Sequence, residues 1–132
     1  MVINYRMTRT GNLLHPLTPQ NTTEQIDTLL TRPGARIERI VSTGQASAEG
    51  FWYDQDEDEF VLILSGAAGV RIAGEAAMRE LRPGDWLEIP AHMRHRVEWT
   101  VADAPTVWLA VFITPQATPR GAIPRAADAA EN

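Results

Sequence analysis

Short apolar segments separated by turns containing glycine or proline follow one another from residue 60 to residue 113. The first, Phe60–Leu64, is apolar on both faces, as expected for a strand inside a sandwich or barrel. Trp86–Ile89, His95–Thr100 and Thr106–Ile113 follow, and the turn Arg82–Asp85 precedes the first of these three. Because short strands with turn signals at close spacing are typical of sandwiches and barrels, the sequence predicts an all-β fold.

The residues before position 50 show a less regular pattern. Residues 35–42 predict a strand or a short helical turn, and residues 1–7 predict a short edge strand. Thr22 offers an N-cap, and Ile26, Leu29 and Leu30 have helical spacing, so this region predicts a short N-terminal helix that ends before Pro33.

These segments suggest one domain with three parts. At 132 residues the chain is long enough for one hydrophobic core and too short for two. We expect residues 1–49 to pack as a strand and helix segment on a barrel formed by residues 50–114. Residues 115–132 are rich in Pro, Ala and Gly, and predict a C-terminal extension that is solvated or packs on a neighbouring subunit.

Charge and composition narrow the classes of partner. The formal net charge of -5 and the pI near 5.1 argue against nucleic acid or an anionic membrane surface as the main partner. The absence of cysteine excludes disulfides and thiolate metal sites, so oxygen and imidazole remain as good ligands. With no apolar signal core at the N-terminus and no apolar run of membrane-spanning length, we expect a cytoplasmic protein.

The acidic stretch from Tyr53 to Glu59 runs directly into the strand Phe60–Leu64. Carboxylates packed this closely repel one another and are costly to desolvate, so they need cations, protons or water nearby. In a regular strand, alternate residues share a face. One face then carries Tyr53, Gln55, Glu57 and Glu59, and the other carries Asp54, Asp56 and Asp58. The aspartates are expected to form a solvated rim that keeps an edge from pairing with other chains.

Two sets of residues resemble the paired motifs of the cupin superfamily. Gly50, Glu59 and Gly66 resemble the first motif, in which a glycine follows the glutamate by seven positions. Gly84, Pro90 and His95 resemble the second motif, with five residues between glycine and proline and the histidine five positions later. The resemblance implies a double-stranded β-helix of the jelly-roll type, a divalent metal near the barrel mouth, and a homodimer.

The sequence departs from these motifs at the usual metal ligands. The two histidines of the first motif fall on Tyr53 and Gln55, or on Trp52 and Asp54 if the spacing is one residue longer. In the second motif, His92 occupies the position of a usual glycine. Trp99 stands at the position of the closing asparagine. The metal site is therefore altered or lost.

Glu59 and His95 are the best candidate pair for the site. An inward carboxylate must be paired, coordinated or protonated, and an imidazole on the apolar face shared with Val97 and Trp99 needs a polar partner. The predicted metal ligands are Gln55, Glu59, His95 and His92. His92 is either a second imidazole ligand or a residue on the rim of the barrel. This mixed oxygen and nitrogen set suits zinc, manganese, iron or nickel.

Three functional hypotheses follow from these residues. The first is a metal-dependent enzyme of the dioxygenase, isomerase or lyase type, acting on a small polar metabolite. The second is a metal-free protein that performs acid/base chemistry with His95 and Glu59, and with Tyr53 as a further proton donor. The third is a non-catalytic protein that binds or senses a small ligand, in a pocket to which Tyr53 and Trp99 contribute stacking surfaces.

Overall fold

The computed structural model describes residues 7–18 and 22–116, and these residues form eight β-strands. The strands are β1 (Gln25–Arg32), β2 (Ala35–Ser42), β3 (Asp58–Ser65), β4 (Ala68–Ile72), β5 (Arg79–Leu81), β6 (Trp86–Ile89), β7 (His95–Thr100) and β8 (Thr106–Ile113). None of the described residues lies in a helix, and this part of the chain accordingly contains no helix able to cross a membrane.

The strands form two antiparallel sheets. The larger sheet has the order β1-β2-β8-β3-β6, and the smaller has the order β5-β4-β7. Strands β2 and β8 pair along their whole length, from Ala35 opposite Ile113 to Ser42 opposite Thr106. Because β2 lies beside β8, residues that precede the predicted barrel region contribute to the same sheet as the residues of the cupin motifs.

Apolar side chains from the two sheets meet in a common core. Those from the larger sheet are Val61, Ile63, Leu87, Ile89, Trp108, Ala110 and Phe112. Those from the smaller sheet are Ala68, Val70, Ile72 and Leu81. Full burial of one branched aliphatic side chain contributes about 1.5–3 kcal/mol, so this core is the main source of stability. The predicted all-β barrel of the jelly-roll type is confirmed.

The predicted N-terminal helix is wrong, because Gln25–Arg32 forms strand β1 and pairs with β2. The pairing register shifts between Thr28 and Leu30, which leaves Leu29 as an extra residue in the strand. At such a bulge, two consecutive residues of one strand lie opposite a single residue of the partner strand, so the strict alternation of faces is lost. Leu29 and Leu30 are both half-buried for this reason, and together with Ile26 they imitate the spacing of an amphipathic helix.

A second bulge turns Trp99 away from the face that carries His95. In the pairing of β4 with β7, Gly69 lies opposite Trp99 and Val70 lies opposite Val97. Glu98 is the extra residue, so the alternation reverses there. The indole of Trp99 packs against Gly69, where a Cβ atom would lie 2.3 Å from the indole nitrogen. The predicted shared face of His95 and Trp99 is therefore interrupted.

Arg39 binds the segment 13–16 to the outer face of the larger sheet. Its guanidinium donates hydrogen bonds to the carbonyl oxygens of Leu13 and Pro16, and it forms an ion pair with Asp27 on β1. The predicted edge strand at residues 1–7 lies outside the described residues except for its last position. Apart from residues 115 and 116, the predicted C-terminal extension also lies outside them.

Candidate functional site

A cavity of about 220 Å³ lies between the two sheets. Its polar lining residues are Glu24, Arg36, Glu38, Tyr53, Gln55, Glu59 and His95. Trp108 and Phe112 contribute aromatic walls from β8. Of the four residues predicted to share a face, Tyr53, Gln55 and Glu59 line this cavity. The fourth, Glu57, is not in the lining and accepts hydrogen bonds from Arg36 instead.

Glu59 and His95 face each other within the cavity. Glu59 lies on β3 of the larger sheet and is 9% exposed, whereas His95 begins β7 of the smaller sheet and is 6% exposed. The Nε2 atom of His95 lies 3.4 Å from Oε2 of Glu59. This Oε2 atom is buried and has no hydrogen-bond partner, so the contact is an ion-pair approach rather than an aligned hydrogen bond.

The main chain fixes which nitrogen of His95 carries a proton. Its Nδ1 atom lies 2.9 Å from the carbonyl oxygen of Met93. A carbonyl oxygen can only accept, so Nδ1 is the donor and carries a hydrogen. In the neutral imidazole the Nε2 lone pair therefore faces a lone pair of the Glu59 carboxylate. That arrangement requires a proton, a cation or a ligand's donor group between the two atoms.

Burial and the neighbouring carboxylate act in opposite directions on His95. Burial lowers the pKa of His95, but the close carboxylate of Glu59 and the hydrogen bond to the Met93 carbonyl raise it. The net effect places the pKa of His95 above its ordinary value. A proton on Nε2 of His95 can therefore fill the place between Nε2 and Oε2 of Glu59.

Tyr53 holds His95 in place from the adjacent loop. The two residues exchange main-chain hydrogen bonds of 2.7 and 3.1 Å, and their rings stack with centroids 5.3 Å apart. Burial, and then the charges of Glu24 and Glu59, raise the pKa of the Tyr53 phenol. Its hydroxyl consequently remains protonated at neutral pH and can donate to a bound molecule.

Arg36 contributes a positive charge, and three of its five N–H groups donate to carboxylates. Its guanidinium donates to Glu38 through Nε at 3.0 Å, and to both carboxylate oxygens of Glu57 at 3.0 and 3.2 Å. The guanidinium carbon lies 4.3 Å from the centroid of the Phe112 ring, directly across the β2–β8 pairing. Arg36 is thus held by two carboxylates and an aromatic face.

Glu24 belongs to a separate hydrogen-bonded chain in the cavity wall. The Ser42 hydroxyl donates to Glu24 at 2.6 Å, and the Trp108 indole donates to the same hydroxyl oxygen at 3.0 Å. Together these contacts tie the segment before β1 to β2 and β8. They also keep a second carboxylate close to the aromatic wall.

His92 lies on the outer surface, away from the cavity lining. Its Nδ1 atom is 2.8 Å from Asp54 and its Nε2 atom is 3.3 Å from Asp56. The hydrogen bond with Asp54 raises the pKa of His92, although partial desolvation opposes it. Its main-chain N–H donates to the carbonyl oxygen of Gln55 at 2.7 Å, so His92 contacts a predicted ligand through the backbone.

Sequence reasoning missed Glu24, Arg36 and Glu38, which lie outside the two motifs. Arg36 and Glu38 alternate with outward residues along β2, and this period-two spacing was the signal that could have placed them together. Glu24 carries no comparable signal, because it precedes a strand that the sequence predicted as a helix.

Fold and site together define a small β-barrel protein with an acid and an imidazole enclosed between its sheets. The sequence profile of the Cupin domain family matches residues 39–112. No curated protein matches the chain. The chain belongs to the cupin family, as the resemblance predicted.

Solved structures agree with this assignment. A protein of Ralstonia eutropha, provisionally described as a mannose-6-phosphate isomerase, is 50% identical with a TM-score of 0.80, and the match covers 82% of this chain and all of that chain. A Streptococcus pyogenes protein of unknown function is 23% identical with a TM-score of 0.66, covering 86% of this chain and 94% of its own. A cupin superfamily protein of Desulfitobacterium hafniense is 18% identical with a TM-score of 0.62, covering 75% and 84% respectively. The latter two show the fold.

Cupins commonly bind a divalent metal, and the donor set here tests how well this chain suits one. Among residues 7–18 and 22–116, no group of three or more His, Cys, Asp or Glu side chains is placed to hold an ion. In the cavity, Glu59 and His95 are the two strong donors that approach each other. A metal needs three or four ligands, so the set is incomplete without the amide oxygen of Gln55.

Proposed function

We propose that the cavity binds a small polar metabolite through Glu59 and His95, and that this pair can exchange a proton with it. The observation that carries the proposal is the buried Oε2 atom of Glu59, a residue that lines the cavity: this atom has no hydrogen-bond partner and its nearest polar contact is Nε2 of His95 at 3.4 Å. A buried carboxylate oxygen left in this state costs free energy, and a donor group on a ligand would remove that cost.

The chemistry that suits this arrangement is general acid/base catalysis. A carboxylate and an imidazolium 3.4 Å apart can take a proton from one atom of a ligand and return it to another. The Tyr53 hydroxyl adds a second donor from the same wall. The provisional description of the Ralstonia eutropha protein as an isomerase is compatible with proton transfer of this kind.

A ligand screen followed by proton exchange tests the proposal. Small polar metabolites would be screened for binding to the wild-type protein and to Glu59→Gln, with Glu88→Gln as the matched control on an exposed position of β6. Binding should weaken in Glu59→Gln alone. Ligands that bind would then be incubated in D₂O, where His95→Gln should lose any deuterium incorporation at carbon. Ligands that bind both glutamate variants equally would contradict the proposal.

A divalent metal is the second candidate occupant, and one distance favours it. Two ligand atoms that are each about 2.1 Å from a tetrahedral ion stand about 3.4 Å apart. This is the separation of His95 Nε2 and Glu59 Oε2. Glu59, His95 and Gln55 would hold the ion, which would supply Lewis-acid chemistry for a metal-dependent enzyme of the dioxygenase, isomerase or lyase type.

Elemental analysis separates the two candidates. The protein would be purified with and without supplementation by zinc, manganese, iron or nickel, and then dialysed. One equivalent of metal that disappears in Glu59→Gln and persists in Glu88→Gln would support the metal site. Absence of bound metal after supplementation would exclude this second candidate and leave the proton-exchanging pair.

The homodimer implied by the resemblance and the cytoplasmic location stay predictions. Sedimentation equilibrium and cell fractionation test them independently of the cavity.

A further inference from the structure

We infer that the cavity selects a cationic ligand, one that presents an ammonium group to Glu59, over an anionic or phosphorylated one. This inference rests on the proposed function, because it names the chemical class that the same cavity takes. A cationic ligand differs from the sugar phosphate that the description of the Ralstonia eutropha protein names. Charge, hydrogen bonding and aromatic surface in the cavity all contribute to it.

Carboxylates outnumber cations in the cavity lining. The charged or titratable lining groups are Glu24 ahead of β1, Arg36 and Glu38 on β2, Tyr53, Glu59 on β3, and His95 on β7. With His95 protonated and Tyr53 neutral, three negative charges face two positive ones. When His95 is neutral, the excess of negative charge increases. A phosphate group would therefore enter a field of the wrong sign, whereas an ammonium group would be attracted.

The one arginine of the lining offers little to an anion. Both of its terminal nitrogens donate to Glu57, its Nε donates to Glu38, and one face of the guanidinium lies over Phe112. Three of the five guanidinium N–H groups are used in these bonds, and a phosphate that reached the other two would lie beside the carboxylates of Glu38 and Glu57, which repel it. The charge of Arg36 is thus already balanced within the wall.

Glu59 supplies the specific anchor for a cation. Glu59 is nine-tenths buried and lines the cavity, and its Oε2 atom has an ion-pair contact with His95 but no hydrogen-bond partner. An ammonium N–H would satisfy this atom and compete with the proton of His95. Tyr53 and Trp108 line the same cavity, and aromatic faces attract ammonium groups.

Three aromatic probes of similar size test this selection. Benzylammonium, benzyl alcohol and benzoate share a ring and differ chiefly in charge, and an apolar cavity of about 150 Å³ already accepts benzene. Each would be titrated into EDTA-treated wild-type protein at constant ionic strength, with the ring signals of His95 followed by NMR. We expect saturable binding of benzylammonium, at least about tenfold tighter than that of benzoate.

Two glutamate variants test whether Glu59 causes the preference for benzylammonium. Glu59→Gln should weaken benzylammonium more than benzyl alcohol, whereas Glu88→Gln should change neither. Benzoate binding as tightly as benzylammonium, or no saturable binding by any probe, overturns the inference even if Glu59→Gln fails to fold. The pKa of His95 measured without ligand reports on the proposed site separately. If the pKa of His95 is raised but benzoate binds as tightly as benzylammonium, only the inference about the charge of the ligand is overturned.

Discussion

The imidazole of His95 and the carboxylate of Glu59 approach to 3.4 Å across the two sheets of the barrel. The two residues come from different cupin motifs, 36 positions apart in the sequence. Because a Met93 carbonyl fixes the proton on Nδ1, only Nε2 is free to exchange a proton or bind a ligand next to Glu59. The proposed chemistry depends on this relationship.

The pair should make the stability of the fold depend on pH. The pKa of His95 is raised in the folded protein, so the protonated pair stabilises the fold fully below the unfolded-state value of about 6.5. That contribution is lost as the pH rises through the folded-state pKa. The difference in free energy of unfolding between wild type and Glu59→Gln should therefore decline over this interval. A difference that grows with pH in urea denaturation would contradict the assignment.

The hydroxyl of Tyr53 should ionise above its ordinary range. Burial is the main reason that its pKa is raised, and the carboxylates of Glu24 and Glu59 add to it. The chain has two tyrosines, so ultraviolet titration in a Tyr5→Phe background isolates Tyr53. We expect a pKa above 10, lowered in Glu59→Gln. An unchanged value in that variant would show that the Glu59 carboxylate does not act on the phenol.

His92 should be replaceable by glycine without harm to the cavity. His92 has a φ of 65°, in the left-handed region that the usual cupin glycine adopts without strain. His92→Gly and His92→Ala both remove the imidazole, so the difference between their melting temperatures reports the backbone strain at position 92. We expect the glycine variant to melt a few degrees higher than the alanine variant. The pKa of His95 should remain raised in both.

A lower pKa of His95 in both His92 variants would show that the surface imidazole belongs to the functional site. A melting temperature no higher in His92→Gly than in His92→Ala would contradict the backbone explanation.

Gly66 should be intolerant of any side chain. Its φ is 84°, and a Cβ atom would lie 2.4 Å from the Thr106 hydroxyl and 2.6 Å from the Thr106 Cα. Gly74 has a similar φ of 87° with open space around it. Both alanine variants carry the backbone strain, so the clash should lower the free energy of unfolding of Gly66→Ala by about 1–3 kcal/mol more. Equal losses in chemical denaturation would contradict this.

The sequence predicted the bounds of the strands that have clear apolar patterns and flanking turns. The bounds of β6, β7 and β8 follow directly from their apolar patterns and flanking turns. Both errors occurred at bulges, where one extra residue shifts the period. Leu29 made β1 resemble a helix, and Glu98 moved Trp99 off the face of His95. A bulge depends on the partner strand, which a single sequence does not reveal.

The candidate site was predictable to the extent that it lies in the two motifs. Glu59 and His95 were paired from spacing and parity, and the structure places them together. The charge balance of the cavity was not predictable, because Glu24, Arg36 and Glu38 reach it through the pairing of β1, β2 and β8. Long-range register of this kind decides which side chains share a cavity.

The most direct test of the account is the titration of the His95 imidazole by NMR in wild type, Glu59→Gln and Glu88→Gln. We expect a pKa above 6.5 in wild type and in Glu88→Gln, and a value below 6.5 in Glu59→Gln, because burial persists there without the carboxylate. The same pKa in all three proteins would contradict the account. So would a His95 that titrates only after EDTA treatment, since a metal on Nε2 would then occupy the place assigned to the proton.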